Sequence, residues 1–386
     1  MTLDRRQVLA LGAMAGLGAL RPASGEPGRG AAPATGVASD VRSLYAAATV
    51  IDACGGPGDL TGDVAPESAR QTLAAIRDSG VTAVNFTIGG VGTRPSAEAF
   101  ESIVRDYATW LAIAEAHPEV LAIGRDAGAV AAAKRDGRLA ILFGLQDGVA
   151  FDDDLGRLPV LRDLGVRIIQ PTYNRRNLLG DGCMEPDDAG LSRAGRDAVS
   201  QMNALGILVD LSHCGRRTTD EAVAASAKPV AFTHTGCDAV TPHPRNKTDA
   251  QLRALAERGG VAGIYFMPYL RAQGQQTSED VMRHLEHAIE VAGEDHVGIG
   301  TDGEIPGIEM TPEFLAAHAA DVAARRKAGI GAPGENADVF TFATDLNSNR
   351  RLERFAGMLL ARGHSAARVD KVLGGNFARL LGEVWA

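Results

Sequence analysis

The chain has 386 residues, 45% of them hydrophobic and 23% charged, and a formal net charge of −9. That balance is ordinary for a globular protein with one large core or two smaller ones, and nothing in it suggests a nucleic-acid surface or a disordered charged tail. Four cysteines (Cys54, Cys183, Cys214 and Cys237) are too few for a disulfide scaffold, although they leave room for a single bridge.

In chain order, residues 1–25 read as a targeting segment. Asp4-Arg5-Arg6-Gln7-Val8-Leu9 is a twin-arginine pattern, an apolar stretch at 8–20 follows, and Pro22-Ala23-Ser24-Gly25 supplies small residues for cleavage. The stretch is shorter than the ~20 apolar residues a membrane-crossing helix needs. An exported, periplasmic protein without a stable membrane span is therefore expected. Residues 26–45 read as a flexible linker rich in Gly, Ala and Pro, and residues 46–386 as a single domain.

From residue 46 onward, short apolar runs alternate with amphipathic stretches. A strand at 49–52 precedes a helix at 66–78, and a strand at 82–88 precedes a helix at 97–115. Strands at 139–145 and 166–171 come next, followed by a helix at 192–205. Strands at 208–211, 229–233 and 261–266 then lead to helices at 219–226, 249–258 and 278–291. A last strand at 296–301 precedes a mostly helical segment ending in helices at 351–362 and 366–384. Ser192 and Ser278 are the expected N-caps of their helices.

The strands are nearly continuously apolar, as parallel strands buried on both faces are. Eight β-then-α units predict a (β/α)8 TIM barrel with extra C-terminal helices. An open doubly wound sheet would need a glycine-rich phosphate loop after its first strand, and Cys54-Gly55-Gly56-Pro57-Gly58 lacks that spacing.

Barrels of this kind do chemistry at the C-terminal ends of their strands. Those ends carry Asp52 and Cys54, Gln146 and Asp147, Tyr173 and Asn174, His213, His234, and Asp302. Two histidines on neighbouring strands can place ring nitrogens about 2.0–2.1 Å from a shared zinc. A single histidine there would more simply be a buried ring bonded to a carbonyl; the pair, with Asp302 closing the ring, favours a metal or active site. His284 and His287, three apart on a helix, read as solvent-exposed. Arg245, in the loop after the sixth strand, either grips a carboxylate with its planar fork or makes a loop salt bridge.

With these residues in place, the chain resembles the membrane (renal) dipeptidases over nearly everything after residue 46. The resemblance rests on Gly190-Leu191-Ser192-Arg193-Ala194-Gly195-Arg196, Met202-Asn203-Ala204-Leu205-Gly206 running into Asp210-Leu211-Ser212-His213, Phe232-Thr233-His234-Thr235, Pro244-Arg245-Asn246, Gly300-Thr301-Asp302-Gly303 and Leu373-Gly374-Gly375-Asn376-Phe377. It implies a zinc hydrolase of dipeptides on a (β/α)8 barrel, and it allows a homodimer. By the same resemblance, His213 and His234 are two ligands of one zinc, Asp302 binds metal and shuttles a proton, and Arg245 holds the substrate carboxylate.

The chain departs from the family at several of its site positions. The family's first strand ends in Asp-Gly-His-x-Asp, where this chain reads Asp52-Ala53-Cys54-Gly55-Gly56. Asp59 would replace the missing acid only through a loop insertion. The bridging glutamate is Gln146, and the histidine after the fourth strand is Tyr173. A neutral amide cannot offset the repulsion between two dications, so zero or one zinc per chain is expected, with one favoured. His213, His234 and Asp302 would hold it, with Gln146 and Cys54 as further candidates; Cys54 reads equally as a small buried residue. Asp302 would then act as general base and acid and Tyr173 would touch the substrate as oxyanion donor, on a small peptide or amide. Two alternatives stand beside this: a catalytically silent barrel that binds a small carboxylate ligand, and a Cys54 thiol nucleophile with His213 or His234 as its base.

Overall fold

The computed structural model describes residues 35–386, apart from Asp63 and Thr93. The twin-arginine segment and residues 26–34 of the expected linker lie outside the described residues. The remainder of that linker is helical: α1 (Thr35–Ala47) replaces the expected flexible segment from residue 35 onward. The reason is a face formed by Leu44, Tyr45 and Ala48, which pack on the core. Tyr45 donates its hydroxyl proton to Ser79 O at 2.9 Å.

The strands are β1 (Ile51–Asp52), β2 (Gly55–Gly56), β3 (Ala83–Thr87), β4 (Leu121–Ile123), β5 (Leu139–Leu145), β6 (Val166–Ile169), β7 (Leu208–Val209), β8 (Ala231–Thr235), β9 (Val261–Ile264), β10 (Val297–Ile299) and β11 (Gly303–Glu304). Parallel pairing runs β1-β3-β5-β6-β7 and β8-β9-β10. Two backbone bonds join the arcs into a barrel, Leu211 N to Ala231 O at 2.8 Å and Ala53 N to Ile299 O at 2.9 Å. All eight predicted strands take part. The short β4 had no readable period; it pairs with the first half of β5, whose second half pairs with β6. β2 and β11 form a two-residue parallel pair beyond the ends of β1 and β10.

Side chains alternate along each strand, as the pleat requires. Ala83, Ala140, Leu142, Ile168, Leu208, Ala231 and Val261 point inward, where they pack with Phe377, Leu380 and Trp385. Their neighbours Val84, Ile141, Phe143, Ile169, Val209 and Phe232 face the surrounding helices. The inward residues sit at the strand starts, so the C-terminal helix at Asn376–Val384 plugs the end of the barrel opposite its reactive face.

The surrounding helices are Pro66–Ser79, Ser96–Ala116, Ala127–Asp136, Arg157–Asp163, Arg193–Ala204, Arg216–Ala225, Asp249–Glu257 and Ser278–Ala292. Ser192 caps its helix as expected, accepting from Gly195 N at 3.0 Å. The other expected cap shifts by one residue: Thr277 and Asp280 form a reciprocal capping box. His284, expected to be exposed, is fully buried on the face it shares with Val281, Leu285 and Ala288. Its Nδ1 accepts from Cys237 N and its Nε2 donates to Leu270 O, both at 2.9 Å. None of the four cysteines forms a disulfide.

After β10 the chain crosses the reactive face as a cap. It comprises the helix Pro312–Lys327 and the loop after it, tied down by Asn174 Nδ2 to Ile330 O at 2.8 Å and Arg175 Nε to Gly329 O at 2.7 Å. Among the described residues, no helix is long and apolar enough to cross a membrane.

Candidate metal centre

Two buried carboxylates organise the strand ends. Asp210 accepts from Ser212 N at 3.1 Å, Ser212 Oγ at 2.5 Å, Thr233 N at 3.0 Å and Thr233 Oγ1 at 2.6 Å, locking the end of β7 to β8. Burial pushes its carboxyl up and these donors pull it back. Asp52 does the same for β1 and β10, accepting from Thr301 N at 2.8 Å and Thr301 Oγ1 at 2.6 Å; burial raises it to about 7. Gly263 and Gly300 let the strands crowd together here, since a Cβ on either would collide with Thr233 O.

These supports fix both histidine rings. The Thr233 hydroxyl proton goes to Asp210, so its oxygen accepts from His234 Nδ1 at 2.8 Å. Asn174 donates its amide nitrogen to Ile330 O, which turns its oxygen toward His213 Nδ1 at 2.6 Å. Both rings therefore carry their proton on Nδ1 and a lone pair on Nε2. Burial, then the nearby Arg245 guanidinium, pushes both histidines well below their ordinary range and keeps them neutral. The two Nε2 atoms face each other at 2.9 Å. Two lone pairs at that distance repel unless a cation sits between or beside them.

Cys54 and Asp302 complete the cluster: one ligand atom each from Cys54, His234 and Asp302 all lie within 4.8 Å of one another. Asp302 is the one non-glycine residue with positive φ among the described residues, at 58°, held by its N donating to Cys54 O at 2.7 Å. Such a conformation costs energy and is often retained at functional positions. The Cys54 thiol donates to Asp302 Oδ1 at 3.6 Å and accepts from Gln146 Nε2 at 3.1 Å. Burial, then Asp302, pushes the thiol well above its usual range. The His234 imidazole with its free Nε2 lone pair, the Asp302 carboxylate and the Cys54 sulfur form a donor set that fits a divalent metal ion, while His213, expected as a ligand, meets His234 Nε2 but stands outside that group.

The other expected site residues fall differently. Gln146 is in the cluster, but its amide nitrogen, which cannot ligate, is the edge turned to Cys54. Tyr173 stacks on the His213 ring, 4.1 Å between centroids and 27° between planes. Arg245, expected at the substrate, is buried at 1% exposure. It donates to Ser212 O and His234 O, bracing the backbone under both histidines. Asp59 makes a local turn with Thr61 and does not replace a ligand.

Sequence reasoning missed three residues. Glu304 fills the space beside Gly56, and Gly58 N donates to it at 2.8 Å. Arg325, on the cap, reaches Tyr173 from above and is gripped by Glu335. Nothing in their sequence spacing marks them, because the cap meets the barrel only in three dimensions. A cleft of about 310 Å³ lies beside Tyr173, bounded by Asp147, Val149, Asn177 and Ile330.

A model of the membrane dipeptidase family (peptidase family M19) matches residues 41–321. An uncharacterised protein from the pqqA 5′ region of Klebsiella pneumoniae is 31% identical over 263 residues, covering 65% of this chain and 84% of the relative. The dipeptidase verJ of Clonostachys rogersoniana is 36% identical over 203 residues; the match covers 52% of each chain, so this chain spans about half of that relative. Among solved structures, an amidohydrolase from Pseudomonas aeruginosa is similar with a TM-score of 0.75 at 29% identity, covering 89% of this chain and 99% of that one. A metallopeptidase from Rhodobacter sphaeroides, liganded with a phosphinate mimic of the dipeptide L-Ala-D-Ala, shares the fold with a TM-score of 0.69 at 23% identity, covering 88% of this chain and 99% of that one.

Proposed function

The chain belongs to the membrane dipeptidase family and is a metallodipeptidase-like hydrolase; from that premise we propose that it hydrolyses a dipeptide or related small amide at a single zinc site. His234, Asp302 and Cys54 would hold the ion, and His213 would join them by closing on that group from its place beside His234. The observation that carries this reading is the 2.9 Å approach of two Nε2 atoms whose tautomers are both fixed from behind.

A bound zinc would supply polarisation of the scissile carbonyl and a water of pKa about 7. Asp302 takes the proton of the attacking water and returns it to the leaving amine. Tyr173 accepts from Arg325 Nη2 at 3.4 Å, which leaves its own hydroxyl proton for the developing oxyanion. Asn174 and Thr233 keep the histidine rings in their ligating tautomers. The 310 Å³ cleft beside Tyr173 suits a small substrate. Gly56 and Gln146, where a second ion would need carboxylates, support one ion per chain. The twin-arginine pattern at Arg5-Arg6 supports export, which cell fractionation tests.

The test is metal content per chain together with dipeptide turnover before and after chelation. One zinc per chain and chelator-sensitive turnover are expected; metal-free protein, or turnover indifferent to chelator, overturns the proposal. The Gln146–Cys54 contact favours a second reading, a silent barrel that binds a small carboxylate ligand. Ligand binding without turnover in fully metallated protein is the result that would select it.

A further inference from the structure

The residue expected to grip a substrate carboxylate is committed elsewhere. Arg245 is sealed at 1% exposure, with its guanidinium turned to two backbone carbonyls. A peptide bound at the metal centre would still present a terminal carboxylate, whose charge is costly to leave without a partner.

A second guanidinium stands over the same site. Arg325 lies in the last turn of the cap helix Pro312–Lys327, beyond the region that the family model matches. Glu335 grips its Nε and Nη2 edge at 2.9 Å and 3.0 Å, and Nη2 also reaches the Tyr173 hydroxyl at 3.4 Å. Among the described residues, Nη1 makes no hydrogen bond, and the side chain keeps 23% exposure. Glu335 is itself held by the Tyr269 hydroxyl at 2.5 Å. The fork is thus oriented from one edge, with its other edge available beside the residue stacked on His213. Arg325 itself lines neither neighbouring cleft; its two partners border them, Tyr173 the one of about 310 Å³ and Glu335 one of about 440 Å³, so a ligand reaches Nη1 past Tyr173 or Glu335.

We propose that Arg325 binds the terminal carboxylate of the substrate, with Glu335 orienting its guanidinium and Tyr173 beside it. This rests on the dipeptidase reading and narrows it to peptides with a free C-terminus. A cap-borne arginine also couples recognition to the cap, since the carboxylate it binds ties that segment to the barrel ligands below.

The experiment uses the zinc-loaded full chain and two phosphinate analogues of Ala-Ala, one ending in a carboxylate and one in a carboxamide, with binding measured by calorimetry. Wild type is expected to favour the carboxylate by about tenfold or more, as a charge-assisted pair implies. Arg325→Ala should abolish that preference, bringing the two analogues to equal affinity, and Arg325→Lys should fall between. Glu335→Gln separates this from a structural role. It breaks the same ion pair, yet by removing the competing charge it should hold or strengthen carboxylate binding. No preference in wild type, binding of neither analogue, or parallel losses in Arg325→Ala and Glu335→Gln would overturn the inference. An Arg325-dependent preference with no dipeptide turnover would leave it standing and remove the hydrolase reading instead.

Discussion

The carboxylate of Glu304 occupies the space that a side chain on Gly56 would fill. The two residues face each other across the short β2–β11 pair, and Gly58 N fixes Glu304 there at 2.8 Å. An acidic side chain at position 56, where the family resemblance expects a ligand, would compete with Glu304 for that space. Gly56→Asp alone should force two carboxylates into one site and destabilise the fold by about 1–3 kcal/mol. Adding Glu304→Ala should recover most of that. Chemical unfolding of the single and double variants measures it; an unperturbed single variant would show that the two acids can coexist.

Thr233 links the Asp210 carboxylate to the His234 ring, and that link sets which ring nitrogen faces the site. Thr233→Val keeps the shape and removes the acceptor for Nδ1. Metal affinity should fall about 10- to 100-fold, the usual cost of losing an outer partner of a metal-bound histidine. Thr233→Ser should restore it. Competition against a chromophoric chelator gives the affinities, and equal values for all three would place the control of the tautomer elsewhere.

Much of this site was legible in the sequence because barrel strands announce themselves. Their apolar runs locate the strand ends, and the strand ends locate His213, His234 and Asp302. What stayed hidden has no local signature. The cap helix Pro312–Lys327 buries only Val322, so it has no apolar stripe to read. Arg325 looks like an ordinary C-terminal cation beside Arg326 and Lys327. Glu304 and Gly56 meet only because the barrel closes. His284 was misread for a different reason: its pairing with His287 suggested a polar face, whereas its spacing from Val281, Leu285 and Ala288 places it on the buried one.

Burial of His284 makes the fold sensitive to acid. Its ring is held neutral between Cys237 N and Leu270 O, and burial lowers its pKa from 6.5 to about 4. The unfolded chain binds this proton first, so the stability is fully present above pH 6.5 and is lost as pH falls through the folded value near 4. The loss across that window is on the order of 3 kcal/mol. His284→Gln should be less stable at neutral pH and show a shallower decline between pH 6.5 and 4. Unfolding free energies at several pH values give both slopes, and parallel slopes would remove His284 as the cause.

Cys54 decides what kind of metal site this is. Its thiol holds its proton firmly, because burial and the nearby Asp302 both disfavour the thiolate. A metal that takes the sulfur as ligand must displace that proton. His213 and His234 already present bare Nε2 atoms and release nothing on binding. Near pH 7, metal titration in weakly buffered solution should therefore release about one more proton per ion from wild type than from Cys54→Ser. The cobalt-substituted protein should also show a sulfur-to-metal charge-transfer band in the near ultraviolet, absent from Cys54→Ser. The variant should keep a weaker site built on His213, His234 and Asp302. Equal proton release and no such band in wild type would mean that the ion binds without sulfur. Cys54 would then be packing beside Gln146, where the family has a ligand.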